Sequence, residues 1–560
     1  MGFIKRGVVI IMLSLAGLSA YWLSFDLEKA LVIGELLPSD TLLFMQWNKF
    51  STFFNEIAQS KIVQHMQNKE FPTTLQNLGM DKTWLLSLQK SKDFFSEFGE
   101  LPLVHELWQH EGMLAFIPGA EQEGKPEEPF FSNLVFFLPT DGESYKKIVQ
   151  PLVDAQSAQP NWSFHQFTVR ELRLSSGRTL HLCHLNNFVF FAFSRAPIER
   201  CLAQYMQRKI GGSKAGLDQN AWFQDHVFVP QKESEFFVYA NSAKLKSVAP
   251  LYSYTENFTD APRPQEIALT HMFIPAERKI KLSFKFKPDE LVTWIKKYKL
   301  SPPEIPQIMA TNSGSTLFHL WSNWCHTEFM EQMSDKLYQT EIGSLVLTAL
   351  SGFLSQKELS WWELKQPFNE KAGLVVLGER NESNQLRPRF SLYFGMKDTT
   401  RMDSLLSQLF SDFSTQKVQL AHGVEVVSFS MAGGLIKPAY VISNNLLIFA
   451  DNLSLAKQII AEMRPSANTE KMGAANEPGD EKNNFFLYIK NREAAEGLNE
   501  LLSFFVQVKN EKGEPMASDQ EKLMIRQIVL PVVETLGKAE NSQFAIRAEQ
   551  NEAVFEGLIH

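Results

Sequence analysis

The residues that most suggest chemistry lie in the stretch LVHELWQHEG, residues 103–112, where a His-Glu pair is followed by a second histidine. In the zinc-peptidase motif H-E-x-x-H the two histidines are four residues apart, so both imidazoles lie on one helix face and can bind one ion. His105 and His110 are five residues apart, which separates them by roughly 140° around a regular helix. This spacing argues against a shared zinc ion, and we interpret both histidines as surface or cap residues of a short helix.

A second group of metal-binding residue types lies in the sequence HLCH, which contains His181, Cys183 and His184. Because alternate residues of a strand face opposite sides, His181 and Cys183 would share a face and His184 would point away from them. The only other cysteines are Cys201 and Cys325, and so sparse a set in an exported chain argues against a disulfide framework. One bridge between Cys183 and Cys201 remains compatible with the sequence.

The familiar motifs of catalysis and cofactor binding do not occur in this chain. The sequence has no G-x-S-x-G, no Walker loop and no G-x-G-x-x-G after a strand, which are the local signatures of hydrolases and of nucleotide-binding folds. We therefore predict no catalytic, cofactor-binding or metal-binding residues and no cofactor.

The first element along the chain is an apolar N-terminal segment. Residues 7–25 carry no charge, and as a helix they would span about 28 Å, close to the thickness of a bilayer core. Basic residues precede this segment and acidic residues follow it, so residues 1–6 are predicted to be cytoplasmic and the rest to lie outside. A signal peptide cleaved after Ala20 is the alternative, but Leu18 is a poor match for the small residue such a site needs. We predict an uncleaved signal anchor with one transmembrane helix.

The composition narrows the class of protein. The chain has 560 residues, 44% of them hydrophobic and 21% charged, with a net charge of −8. These values are typical of a globular protein and argue against a disordered chain, a polytopic membrane protein or a nucleic-acid binder. Phenylalanine is unusually common, at 45 residues, which indicates large aromatic cores or an apolar groove. Trp361 and Trp362 in SWWEL could belong to a core or to an apolar binding surface. We predict that they belong to a core.

Two segments of the chain resemble each other closely enough to indicate an internal repeat. SDTLLFMQWNKF at residues 39–50 and SGSTLFHLWSNW at residues 313–324 share apolar residues at four matching positions. Further matches follow in the same order: GMLAFIP corresponds to GLVVLG, and NLVFFLP to FSLYFG. Within each copy the two runs are separated by a polar loop and indicate a hairpin. Such colinear matches predict two copies of one structural unit.

Asparagine pairs are the main polar residues that the two copies share. Asn186 and Asn187 precede one apolar strand, and Asn444 and Asn445 precede its counterpart. Asn-Asn before a strand favours a tight hairpin turn with positive φ. The other matches are residues of cores and turns, so the repeat gives no sign of a duplicated catalytic site.

The predicted fold class is α+β, with two tandem, internally duplicated domains after the transmembrane helix. The proline-rich segment at residues 301–312 separates a first repeat domain at residues 36–300 from a second at residues 313–560. Successive hairpins indicate mainly antiparallel sheets, with helices packed against them.

The N-terminal anchor, the LPSDTLLFMQW opening at Leu37, the helix-like FFNEIAQSKIVQHM and the later NNFVFFAF resemble bacterial envelope proteins of the uncharacterised DUF3352-like family. The resemblance implies a bacterial, extracytoplasmic, single-pass protein and brings no established catalytic residues. We therefore expect a non-enzymatic scaffold or interaction protein, anchored in the inner membrane with its N-terminus cytoplasmic and the bulk of the chain periplasmic. Its expected partners are the membrane and an envelope protein or apolar ligand, and not nucleic acid. A periplasmic carrier for a lipid or other apolar ligand is the alternative, and an exported hydrolase is the third possibility.

Overall fold

The computed structural model describes most of the chain in segments. These are residues 32–48, 109–118, 130–140, 161–173, 177–211, 216–227, 234–245, 262–274, 277–297, 301–304, 316–324, 341–380, 386–420, 423–431, 434, 437–461, 463, 482–507, 522 and 524–560. They fall into two compact units, the first with the described residues up to 245 and the second with those from 262 onward. The predicted anchor at residues 7–25 lies outside the described residues, and none of the helices within them is long and apolar enough to cross a membrane.

The first unit is an antiparallel sheet with helices. Its strands are β1 Leu43–Trp47, β2 Gly112–Phe116, β3 Leu134–Pro139, β4 Asn161–Phe164, β5 Phe167–Arg173, β6 Thr179–Leu185, β7 Phe188–Ala192 and β8 Ser234–Ala240. Its helices are α1 Ile33–Leu36, α2 Arg195–Gly211, α3 Ala221–Val227 and α4 Ser242–Leu245, with short 3-10 helices at Phe130–Asn133 and Leu217–Gln219. The strands lie side by side in the order β8-β1-β2-β3-β7-β6-β5-β4.

The second unit has a longer antiparallel sheet. Its strands are β9 Glu266–Ile274, β10 Glu277–Lys285, β11 Thr316–Ser322, β12 Phe368–Arg380, β13 Leu386–Met396, β14 Thr415–Gln419, β15 Glu425–Phe429, β16 Ala439–Ser443, β17 Leu446–Ala450, β18 Phe485–Ile489, β19 Ser542–Glu549 and β20 Glu552–Ile559. Its helices are α5 Glu290–Lys297, α6 Glu341–Gln356, α7 Trp361–Lys365, α8 Thr399–Leu409, α9 Leu453–Ala461, α10 Asn491–Gln507 and α11 Leu530–Leu536, with a π-helical turn at Ile525–Val529. The strand order is β9-β10-β20-β19-β18-β11-β12-β13-β17-β16-β15-β14.

The two units share one order of eight strands. The sets are β1–β8 in the first unit and β11–β18 in the second. In each set the first strand lies between the eighth and the second, and the third strand pairs with the seventh. The α+β class and the antiparallel sheets predicted from the sequence are thus confirmed for the described residues.

The asparagine pairs form the predicted hairpin turns. Asn186 has φ of 52°, and Asn444 and Asn445 have φ of 49° and 59°. The flanking residues are paired in register across the turn, so each loop has two residues. Asparagine tolerates this left-handed region because its short side chain bonds locally to the backbone, which explains its presence at both turns.

The last two hairpins of the sheet in the second unit come from distant parts of the chain. The sequence placed β9 and β10 at the end of the first repeat, residues 36–300. In the structure β10 pairs along its length with β20, the last strand of the chain. Backbone groups that β10 would expose as an edge strand are thereby satisfied, so the hairpin belongs to the second unit.

Helices cover one face of each sheet at matching places. α2 follows β7 and packs on β3, β6 and β7, and α9 follows β17 and packs on β13, β15, β16 and β17. In the second unit α8 covers part of the opposite face. Asp398 caps this helix by accepting a hydrogen bond from the Arg401 backbone N–H at 2.9 Å, and its apolar residues recur at helical spacing, Met402, Leu405, Leu406 and Leu409.

Two glycines matched between the repeats make room for aromatic rings. Gly112 lies opposite Trp47 and Gly373 lies opposite Trp321 in the strand register. A Cβ at Gly112 would press into the Trp47 indole, and one at Gly373 would overlap the Tyr393 ring. Glycine at these positions therefore allows rings to lie flat across a neighbouring strand.

Candidate functional site

The zinc-like motif does not form a site in the described residues. His105 lies outside them. His110 is exposed just before β2, and the neighbouring Glu111 accepts a hydrogen bond from Gln46 Nε2 at 2.9 Å. The strand predicted for EGMLAFIP is confirmed as β2. Across the described part of the chain, no group of three or more His, Cys, Asp or Glu residues is placed to hold a metal ion.

The HLCH residues alternate across β6 as predicted. His181 and Cys183 are buried, whereas His184 is exposed on the other side of the strand. Cys183 and Cys201 are both buried and free, so the bridge that the sequence left open does not form. Burial raises the pKa of the Cys183 thiol to about 12 and also raises the pKa of Cys201, which makes both thiols poor nucleophiles.

The two tryptophans of SWWEL are not in a core. Trp361 is 44% exposed and Trp362 is 64% exposed, so the prediction of burial is wrong. They begin the short helix α7, whose capping box joins Ser360 and Glu363 reciprocally, with Glu363 N–H donating to Ser360 Oγ at 3.1 Å and Ser360 N–H to Glu363 Oε2 at 2.9 Å. This local cap stabilises the first turn of α7.

The sheet of the second unit has an exposed apolar face. Phe390 and Leu392 on β13 are 49% and 45% exposed, although they lie in the middle of the sheet. Val376 pairs with Phe390 and Leu374 pairs with Leu392 on the neighbouring strand. The same register continues through β11 to β18, so the side chains form two rows on one side of the sheet. We call this surface the open face: Phe318, Leu320, Leu374, Val376, Phe390, Leu392, Leu487 and Ile489.

The open face carries no polar side chain, and its members other than Phe390 and Leu392 are half-buried. With strands about 4.8 Å apart and two residues spanning about 7 Å, the two rows cover an area of about 14 by 7 Å between Cα positions. The alternate residues of these strands point into the opposite, buried core, which includes Trp321, Val375, Tyr393 and Phe486. That core side is fully packed. On the other side α10 contacts β11 and comes within reach of Leu386 on β13, so the open face is only partly covered and is most exposed at Phe390 and Leu392.

The neighbouring part of the same sheet face is covered by a helix. Phe449 pairs with Leu392. It packs against a hydrophobic cluster that contains Met402 and Leu406 of α8 and Tyr440 of β16. The first unit offers a direct comparison, because β3, the counterpart of β13 in strand order, is buried on both faces from Leu134 to Leu138. The uncovered apolar surface is thus a feature of the second unit.

A polar cluster in the first unit joins four elements. His181 Nδ1 accepts a hydrogen bond from Trp162 Nε1 at 3.2 Å and lies 3.5 Å from Glu171 Oε1. Arg195, the first residue of α2, donates to the same Glu171 oxygen at 2.5 Å, and its guanidinium carbon lies 5.3 Å from the centre of the Trp162 ring. His181 and Glu171 are largely buried, whereas Arg195 is 55% exposed.

The second unit lacks this cluster at every corresponding position. Counting from the Asn-Asn turns and the strand registers, the counterparts of Trp162, Glu171, His181 and Arg195 are Val418, Ser428, Ala439 and Leu453. A sheet with the same strand order is formed without any of the four. The cluster is therefore not required by the fold.

A third polar feature lies in the core of the second unit. His319 on β11 is fully buried, and its Nε2 is hydrogen-bonded to Tyr393 Oη at 2.9 Å. Within the described part of the chain, its other ring nitrogen, Nδ1, has no hydrogen-bond partner. Burial lowers the pKa of His319 to about 3, so the ring is neutral at any physiological pH.

Sequence reasoning missed the open face and the polar cluster. The apolar run FSLYF does indicate a strand, but it carries no sign that Phe390 and Leu392 stay exposed. The cluster residues come from separate elements, and HLCH was weighed as a metal motif and not as one part of a contact among strands.

Comparisons with known proteins add little to this geometry. Neither a protein-family model nor a curated protein matches the chain. Solved structures with a detectable likeness include the protein TP0453 in crystal form IV, at 11% identity, covering 46% of this chain and 79% of that one with a TM-score of 0.20. Crystal form III of TP0453 has 10% identity, covering 50% of this chain and 90% of that one, also with a TM-score of 0.20. Likeness at this level does not bear on the function.

Proposed function

We propose that this chain is a non-enzymatic interaction protein of the bacterial envelope, and that the open face binds a helix of its partner protein. Residues 7–25 would anchor it in the inner membrane, and the two units would lie in the periplasm. The observation that carries the proposal is the exposure of Phe390 and Leu392 in the middle of an apolar sheet face. Adjacent exposed apolar side chains on a sheet face offer the surface that protein partners cover at interaction sites.

The proposed partner segment is an amphipathic helix. The adjoining part of the same sheet face is already covered by such a helix, α8, which packs on the sheet through Met402 and Leu406. The open face has the same apolar chemistry and joins that region at Phe449. A partner helix with apolar residues at i, i+3, i+4 and i+7 would extend this layer across β13 and β12, up to β11, which α10 already contacts.

We also propose that the two units arose by internal duplication. The common strand order and the two Asn-Asn turns support this origin. On this view one copy kept a sheet buried on both faces, and the other left part of one face uncovered.

The test compares two sets of substitutions in the full-length chain in its native membrane. Phe390→Ser with Leu392→Ser removes the exposed side chains of the open face, and Met431→Ser is the matched control, because Met431 is an apolar residue 37% exposed elsewhere. Covering two half-exposed side chains is worth roughly 1 kcal/mol each. The double substitution should therefore weaken binding by roughly 30-fold.

Quantitative mass spectrometry measures the amount of each protein that co-purifies with the wild-type chain and with each variant. A protein that is lost with the double substitution and retained with Met431→Ser supports the proposal. An organic extract of the same samples tests the alternative, in which the open face carries a lipid or other apolar ligand. A near-stoichiometric apolar molecule lost in the same way would favour that carrier function, and equal retention of every component in all samples would contradict both.

A further inference from the structure

In the polar cluster of the first unit, His181 Nδ1 lies near two groups, either of which could be its hydrogen-bond partner. The indole N–H of Trp162 can only donate a hydrogen bond, so its 3.2 Å contact requires His181 Nδ1 to carry no proton. Glu171 Oε1, an acceptor, lies 3.5 Å from the same Nδ1. The observed arrangement is therefore that of neutral His181, with its remaining proton on Nε2.

Protonation of His181 would reverse the role of Nδ1. As a donor it could no longer accept from Trp162, and the nearest carboxylate is Glu171. The contact at 3.5 Å needs only a small rotation of the ring to become a charge-assisted hydrogen bond. Trp162 would then lose its hydrogen bond in the sheet.

The charged groups that face His181 come from two neighbouring elements. Glu171 lies opposite it on β5, and Arg195 reaches it from α2. Ala192, its register partner on β7, is uncharged, and Arg173, next on the same face of β5, pairs with Thr179 instead. Burial lowers the pKa of His181, the Glu171 charge raises it and the Arg195 charge lowers it.

Trp162 lies on a strand that has a single neighbour. Among the described strands β4 pairs only with β5, so it forms one edge of the sheet. An edge strand depends more than a central one on its side-chain contacts, because only one side of its backbone is hydrogen-bonded.

We propose that His181 is a pH-sensitive switch for the β4–β5 hairpin, in which protonation of Nδ1 transfers its hydrogen bond from Trp162 to Glu171 and loosens the edge strand. The absence of all four cluster residues from the second unit supports a role beyond folding. The proposal does not depend on the open face.

The experiment follows the indole N–H signal of Trp162 by NMR in the full-length chain labelled with ¹⁵N-tryptophan, from about pH 8 to about pH 5. Trp162→Phe assigns the signal. We expect a shift with one midpoint below the ordinary histidine value of 6.5, together with faster hydrogen exchange of the β4 backbone amides after correction for intrinsic rates.

Two substitutions should move the midpoint in opposite directions. Glu171→Gln removes the charge that favours protonation and should lower the midpoint, and Arg195→Gln removes the charge that opposes it and should raise it. His184→Gln, on the other side of β6, is the matched control and should leave the midpoint unchanged. A signal that does not move with pH, a shift that persists in His181→Gln, or a midpoint moved the same way by both substitutions would overturn the proposal. If His181→Gln does not fold, the opposite effects of the other two still decide it.

Discussion

Acidification should destabilise the second unit, because His319 must take up a proton when that unit unfolds. The ring is fully buried in the folded state, and burial lowers its pKa to about 3. In the unfolded chain its pKa returns to the ordinary value of 6.5. Between these values the unfolded state binds more protons than the folded state, so the free energy of unfolding falls as the pH falls. The stability is fully present above about pH 6.5 and is lost progressively toward pH 3.

The size of the effect follows from the difference between the two pKa values. Each pH unit in this range changes the free energy of unfolding by about 1.4 kcal/mol. Between pH 7 and pH 5, His319 should therefore remove about 2 kcal/mol.

The assay isolates this contribution by comparison with a variant that cannot titrate there. In the double variant, His319→Met introduces the residue found at the matching position of the first unit, Met45. Tyr393→Phe removes the hydroxyl group that is hydrogen-bonded to His319 in the wild-type chain. Urea unfolding, read by pulsed hydrogen exchange of peptides from β11, gives the stability at both pH values. The wild-type chain should lose about 2 kcal/mol more than the double variant. Equal losses in the two chains would refute the assignment of a buried, neutral His319.

Three further predictions concern packing, reactivity and turn geometry. Gly373→Ala should destabilise the second unit by about 3 kcal/mol or more in urea unfolding, because the new methyl group overlaps the Tyr393 ring; Gly352→Ala, where a Cβ meets nothing within 4 Å, should stabilise α6 by roughly 0.5 to 1 kcal/mol. Cys183 should resist thiol reagents at pH 8 and react only on unfolding, as measured by intact mass, because its pKa is about 12; rapid labelling of the folded chain would contradict its burial. Asn445→Val should cost about 1 to 2 kcal/mol in the same unfolding assay because φ is 59° there, whereas Asn445→Gly should cost less.

The sequence predicted those parts of the fold that depend on local patterns. The Asn-Asn turns could be predicted because positive φ selects very few residue types, and the strands beside them because their apolar runs are short and bounded. The same order of matches along the chain predicted two repeats, and the described residues contain two sets of eight strands with one common order.

The sequence could not predict which apolar side chains stay exposed, because exposure depends on how helices and strands pack against one another. Phe390 and Leu392 are apolar residues of a sheet strand, as are the residues of β3, yet β3 is buried on both faces. Trp361 and Trp362 likewise have the composition of a core, yet both are exposed in the tertiary structure. Burial of this kind is set by the packing of distant segments, and no local motif records it.

The polar cluster shows a related limit. Trp162, Glu171, His181 and Arg195 lie on four different elements and meet only because β4, β5 and β6 pair in one register and α2 begins beside them. A one-residue slip of that register would turn His181 to the opposite face. The residues could be found one by one in the sequence, but their meeting could not.

The most direct test of the open face as a docking surface is a photocrosslinking residue placed at Leu392 in the full-length chain in its native membrane. A second chain with the same residue at Gln416, exposed on the edge strand β14, is the control. The proposal predicts a protein adduct from position 392 and not from position 416, with crosslinked partner residues spaced at i, i+3 or i+4 along one helix. Adducts only to lipid, or adducts equal at the two positions, would contradict it.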